Sequence, residues 1–169
     1  VNAPAAAPIA VVVMGVSGCS KSSVGAALAQ RLDARFLDAD DFHPPANVEK
    51  MRAGIPLDDT DRAPWLARLN AAMRAALDDR ASVVLACSAL KARYRAALAV
   101  GIPTLRVVHL TGSFELIESR IAARSHRYMP ASLLASQFAA LEAPEHAVVL
   151  EIDRDVETLA AAAERALRG

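Results

Sequence analysis

Five short runs of apolar, strand-favouring residues punctuate the chain: Ile9–Met14, Arg35–Ala39, Val83–Cys87, Leu105–Leu110 and Ala147–Ile152. Most are continuous rather than alternating, the pattern of strands covered on both faces. The segments between them place apolar residues at helical spacing instead. Leu66, Leu69, Met73 and Leu77 share one face of a helix expected over Asp61–Asp79, with Pro64 near its first turn. Val156, Leu159, Ala163 and Leu167 make a similar stripe further on. Strands alternating with helices predict a parallel sheet with right-handed crossovers. At 169 residues the chain has the length of one domain. The expectation is an α/β fold of three layers around a five-stranded parallel sheet over residues 9–169, preceded by a disordered Ala/Pro-rich tail over 1–8.

The junction after the first run carries the strongest chemical signal. Residues 15–22 read Gly-Val-Ser-Gly-Cys-Ser-Lys-Ser, a phosphate-binding loop G-x-x-x-x-G-K-[ST] in which Ser20 stands at the second glycine. A strand precedes it and a helical pattern through Val24, Leu28 and Leu32 follows, which is the context the motif requires. Successive backbone N–H groups of such a loop form an anion nest, and the helix start aims its positive dipole end at the same point. Gly15, Ser17, Gly18, Cys19, Ser20, Lys21, Ser22 and Ser23 are therefore the candidate nucleotide-binding residues. Lys21 supplies charge to the transferring phosphate, and the Ser22 hydroxyl suits Mg²⁺. Ser20 is tolerated at helical φ; at positive φ a side chain costs roughly 1–2 kcal/mol.

In a parallel sheet ligands sit beyond the carboxyl ends of the strands. That rule gathers the loop, the stretch Asp38–His43 and the stretch Ser88–Lys91 on one rim. Alternation along an extended chain puts Asp38 and Asp40 on one side. Phosphoryl transfer needs metal-neutralised charge and a carboxylate to orient the attacking hydroxyl. No aspartate follows the third run, which ends Cys87-Ser88, so Asp38 is the better candidate to complete a Mg²⁺ shell with Ser22. Arg52, Arg62, Lys91 and Arg95 are cations on the expected acceptor side, suited to a carboxylate, while His43, Asn47 and Ser88 can satisfy hydroxyls. Trp65 reads as core packing or a wall. Arg120 and Arg124 lie four apart on a helix after Phe114, pointing the same way, and Arg127 follows. Arginines in a mobile segment over about 122–136 can close on a nucleotide and exclude water.

Composition narrows the class further. The 19 basic and 19 acidic residues balance, so no global field recruits nucleic acid or an anionic membrane. The longest apolar stretch, Ile9–Met14, is too short to span a bilayer. The first eight residues lack the basic and long apolar regions of a secretory signal. Cys19 and Cys87 have no metal-type spacing and read as two reduced thiols, with Cys19 a candidate for oxidation.

From Asp40 the chain runs through His43-Pro44, Asn47, Lys50-Met51, Gly54-x-Pro56-Leu57 and Asp61-Arg62-x-Pro64-Trp65-Leu66. Ala86-Cys87-Ser88-Ala89-Leu90-Lys91 with Tyr94-Arg95 follows, then Met129-Pro130, Leu133-Leu134, Ser136-Gln137-Phe138 and Leu141-Glu142. These motifs, in this order across residues 9–153, resemble the gluconate kinase (gluconokinase) family of P-loop small-metabolite kinases, relatives of the shikimate kinases. The resemblance implies a P-loop kinase fold with a mobile lid and ATP-dependent phosphorylation of D-gluconate at its terminal hydroxyl to 6-phosphogluconate. It also implies Mg²⁺, a cytoplasmic setting and a homodimer. It assigns Asp38 to the metal side, Asp40 to the substrate hydroxyl, Arg124 to the lid and Arg120 to the adenine. Where the family has Gly-His-Phe, this chain has His126-Arg127-Tyr128. A kinase for another small hydroxy acid, or a nucleotide-binding protein with little turnover, are the alternatives.

Overall fold

The computed structural model of the chain describes residues 3–123 and 131–169. Five parallel strands form one sheet: β1 (Ala10–Met14), β2 (Arg35–Asp38), β3 (Val83–Ala86), β4 (Arg106–Thr111) and β5 (Val148–Glu151), in the order β2-β3-β1-β4-β5. Val11 sits between Val84 on one neighbour and Arg106 on the other, which sets the register at the sheet's centre. Seven helices are found among the described residues: α1 (Lys21–Arg31), α2 (Pro45–Arg52), α3 (Asp59–Asp78), α4 (Ala92–Leu98), α5 (Phe114–Ala122), α6 (Ala131–Ala140) and α7 (Val156–Arg168).

The pleat of β1 sorts the core into two layers. Val11 and Val13 face one cluster with Val24 and Leu28 of α1, Ile117 of α5, Leu134 of α6 and Leu159 of α7. Ala10, Val12 and Met14 face the other, with Leu66, Leu69 and Met73 of α3 and Leu98 of α4. The continuous apolar runs are thus explained for the central strands β1 and β3, buried along their whole length. The edge strands depart from that expectation: β2 and β5 are half exposed, since each has a neighbour on one side only. Arg35 on the β2 edge pairs with Asp79 at 2.9 Å, a charged residue of the kind that blunts an open edge.

α1 packs along α7. At their far ends Arg31 Nε donates to Glu164 at 2.5 Å, Arg168 Nε meets the same carboxylate at 3.1 Å, and Arg168 Nη2 donates to the Arg31 carbonyl at 3.3 Å. The chain leaves β1 toward the α1 face and leaves β3 toward the α4 face, which opens a crevice at their carboxyl ends.

α3 begins earlier than the apolar stripe indicates. Asp58 caps it by accepting from Asp61 N–H at 2.8 Å, and the Asp61 carboxylate accepts from Asp58 N–H at 3.0 Å, a reciprocal capping box. Pro64 consequently lies inside the helix rather than at its first turn. No described helix is long and apolar enough to cross a membrane.

Candidate active site

The loop after β1 wraps the head of α1. Gly15 has φ 154°, and a Cβ there would lie 2.6 Å from Cys19 Sγ and 2.7 Å from the Leu110 carbonyl oxygen. Gly18 has φ 83°, with Ile121 of α5 2.7 Å from where a Cβ would be. Ser20, the residue before α1, has φ 68° and ψ 31°, so of the two conformations open to it the loop adopts the costly left-handed one. Its hydroxyl makes no capping bond; its carbonyl accepts from Val24 N–H at 2.9 Å. Lys21 Nζ folds back to donate to the Val16 carbonyl at 3.1 Å. The Cys19 side chain is fully buried in the core. Only its backbone can therefore face an anion, and the thiol is shielded from oxidants in solution.

A cavity of about 430 Å³ opens over this loop, lined by Ser17, Gly18, Ser20, Lys21, Ser22 and Ser23 on one side and by Asp38, Asp40, Trp65 and Ser88 on the other. Ser22 Oγ donates to Asp38 Oδ2 at 2.7 Å. These two adjacent oxygens on the cavity wall could supply the part of a Mg²⁺ shell that protein usually provides. Among the described residues no group of three or more His, Cys, Asp or Glu could hold a metal by itself.

Asp38 and Asp40 reach one cavity by a different route from extended alternation. β2 ends at Asp38, and Ala39–Phe42 form a 3₁₀ turn in which Asp38 Oδ1 accepts from Asp40 N–H at 3.1 Å. Ala39 is buried, and its carbonyl accepts from Trp65 Nε1 at 2.7 Å, which ties the turn to α3. Trp65 is thus both core and wall, and it fixes the backbone immediately before Asp40.

A second cavity, about 460 Å³, shares Asp40, Trp65, Cys87 and Ser88 with the first and extends between α3 and α4 to Arg62, Lys91, Tyr94 and His43. The His43 ring stacks on Trp65, with centroids 4.3 Å apart and planes at 11°. Burial pushes the His43 pKa below its ordinary 6.5, against Asp40, which raises it, and with Arg62, which lowers it. Asn47 Nδ2 lies 3.4 Å from His43 Nδ1 and donates to the Asp61 carbonyl at 3.0 Å. With Nδ1 accepting, the neutral ring keeps its proton on Nε2. Burial drives the Cys87 thiol up to about 12, so it is a neutral floor between the cavities. Tyr94 gathers the cations: Arg62 lies 5.5 Å and Lys91 5.9 Å from its ring centroid, Arg62 Nη1 donates to its hydroxyl at 3.3 Å, and that hydroxyl donates to Asp59 at 2.6 Å.

Not every expected residue arrives. Arg52 ends α2, exposed, and lines neither cavity. Arg95 also lies outside both; its guanidinium donates to the Ala89 carbonyl at 2.8 Å, the Leu90 carbonyl at 3.2 Å and the Glu142 carbonyl at 2.7 Å, so it braces the segment after β3. Asn47 is buried and joins α2 to α3. Arg120 lies on α5 and donates to the Ile152 carbonyl. Arg124, Arg127 and the His126-Arg127-Tyr128 departure lie outside the described residues. Sequence reasoning assigned no role to Tyr94 or Gln137, although both stood within the motifs it singled out.

The parallel sheet, the loop and the two joined cavities define a P-loop nucleotide-binding domain, and a family described as an AAA domain matches residues 11–144. A probable gluconokinase of Rattus norvegicus is 43% identical over 182 residues, covering 95% of this chain and 98% of the relative. A gluconokinase of Gluconobacter oxydans is 47% identical over 137 residues, 81% of this chain and 77% of that protein. The crystal structure of a gluconokinase from Sinorhizobium meliloti superposes with a TM-score of 0.85 at 40% identity, over 95% of this chain and 92% of that one. The chain belongs to the gluconokinase family.

Proposed function

We propose that the protein transfers the terminal phosphoryl group of ATP to the terminal hydroxyl of gluconate, giving ADP and 6-phosphogluconate. The observation that carries this reading is the common wall of the two cavities: Asp40 faces both the phosphate loop and the cation-lined pocket. A sugar acid offers one carboxylate and many hydroxyls. Arg62 and Lys91, assembled on Tyr94, suit the carboxylate at one end. Asp40 at the other end orients the hydroxyl and accepts its proton as the new P–O bond forms and the bond to the ADP oxygen breaks. His43, held neutral, and Ser88 bind hydroxyls between them. Lys21 leaves the Val16 carbonyl to meet the transferring phosphate. Ser22 and Asp38 would hold Mg²⁺, which would supply charge neutralisation on the phosphates. Arg120 and Arg124 belong to the nucleotide side, and a homodimer, checked by sedimentation, and a cytoplasmic setting complete the reading.

A coupled ADP assay with ATP and Mg²⁺ tests it. ADP release should depend on gluconate and not on shikimate; equal rates with both would overturn the substrate assignment. Asp40→Asn should lower kcat by about 10²–10⁴-fold while leaving binding of a non-hydrolysable ATP analogue intact. Unchanged turnover would remove Asp40 from the reaction.

A further inference from the structure

Gln137, half-buried on α6, makes two hydrogen bonds to one residue of the phosphate loop. Ser17 N–H donates to Gln137 Oε1 at 2.7 Å, and Gln137 Nε2 donates to Ser17 Oγ at 3.0 Å. The second bond fixes the sense of the hydroxyl. With a lone pair engaged by the amide, the Ser17 proton is left to donate elsewhere, and Ser17 lines the phosphate cavity. Gln137 itself lines the acceptor cavity. Five residues on, Glu142 N–H donates to the Leu90 carbonyl at 2.8 Å, and the Glu142 carboxylate accepts from Ala92 N–H at 3.2 Å. One short stretch therefore grips the phosphate loop at one end and the acceptor-side segment after β3 at the other.

We propose that Gln137 is a positioning residue that couples the two binding events: it holds Ser17 so that its hydroxyl donates to the polyphosphate, and it carries that hold to the wall of the acceptor cavity. The proposal rests on the kinase reading above. Because coupling is reciprocal, gluconate should tighten nucleotide binding as much as nucleotide tightens gluconate binding.

The test is calorimetric titration of a non-hydrolysable ATP analogue with and without gluconate, beside steady-state kinetics. Gluconate should tighten analogue binding to the wild type by about fivefold or more. Gln137→Met keeps the side chain's length and removes both hydrogen bonds. It should weaken the analogue about five- to thirtyfold, raise KM for ATP more than it lowers kcat, and abolish the gluconate effect. Ser17→Ala should weaken binding too, and the double variant should lose less than the product of the two single losses. Multiplicative losses, a persisting gluconate effect in Gln137→Met, or tighter analogue binding would each overturn the proposal. If Gln137→Met melts early, Ser17→Ala decides: an undiminished gluconate effect in that variant overturns the proposal and a lost one supports it. A wild type that binds the analogue without gluconate-dependent ADP release refutes the kinase reading instead, and the analogue affinities still decide whether Gln137 acts through Ser17.

Discussion

Ser20 is where the sequence departs from the phosphate-loop pattern, and the structure turns that departure into an energy. A φ of 68° costs a side chain roughly 1–2 kcal/mol that glycine does not incur. The serine hydroxyl recovers none of this by capping α1. Ser20→Gly should therefore stabilise the protein by about 1 kcal/mol, the residual after glycine's own entropy loss in the unfolded chain. Urea denaturation at constant m measures it, and an unchanged midpoint would show that the loop relaxes around the serine. The motif was legible because it depends on spacing and residue type. The sign of φ at Ser20 was not, because it depends on how the loop meets α5 and β4. Arg95 teaches the same lesson from the other side: an arginine near a site has the right charge for a ligand, but three backbone carbonyls claim it first.

At the scale of elements, β1, β3 and the apolar stripes of α3 and α7 follow from pattern, since burial on both faces or on one stripe leaves a strong periodic signature. The ends of elements are less visible. The start of α3 was hidden because Asp58-x-x-Asp61 caps with aspartate where glutamate or glutamine is usual, while Pro64 imitates a first-turn proline. That start has consequences for the site, because Asp61 also receives Lys50 at 2.8 Å and Arg62 is the next residue. The Lys50 hydrogen bond is the main reason that the Asp61 carboxyl titrates below its usual range. Asp58→Ala should destabilise the protein by about 1 kcal/mol, read by urea, and raise KM for gluconate through the slackened position of Arg62. A stability loss with KM unmoved would confine the box to folding. Asp38 and Asp40 reach one cavity as expected, yet through a 3₁₀ turn pinned by Trp65, which strand alternation does not reveal.

For the whole molecule, topology did most of the placing. Once the strands are parallel, the phosphate loop, Asp38–His43 and Ser88–Lys91 must share a rim. The link from Gln137 to Ser17 was not legible, because it joins positions 120 residues apart and no periodicity reports on side-chain hydrogen bonds between layers. The same tertiary burial sets the pH response. Burial lowers the pKa of both His43 and His109, so the folded protein keeps them neutral where the unfolded chain takes up protons. The unfolded state then binds more protons, and stability rises with pH through that window. The contribution is complete above the ordinary value of 6.5 and is lost as pH falls below it. The melting temperature should drop between about pH 7 and 5.5, less steeply in His109→Gln. A flat profile in the wild type would mean that both rings stay accessible to protons in the fold.

The Arg31–Glu164–Arg168 lock has a practical side. It fastens the tail of the helix whose head cradles the anion, and Gly169 follows Arg168 directly. A bulky label attached beside Arg168 would crowd the fastening and loosen the nucleotide site from behind. The exposed stretch over residues 3–7 is the better place for a tag, and for a dye or a surface tether.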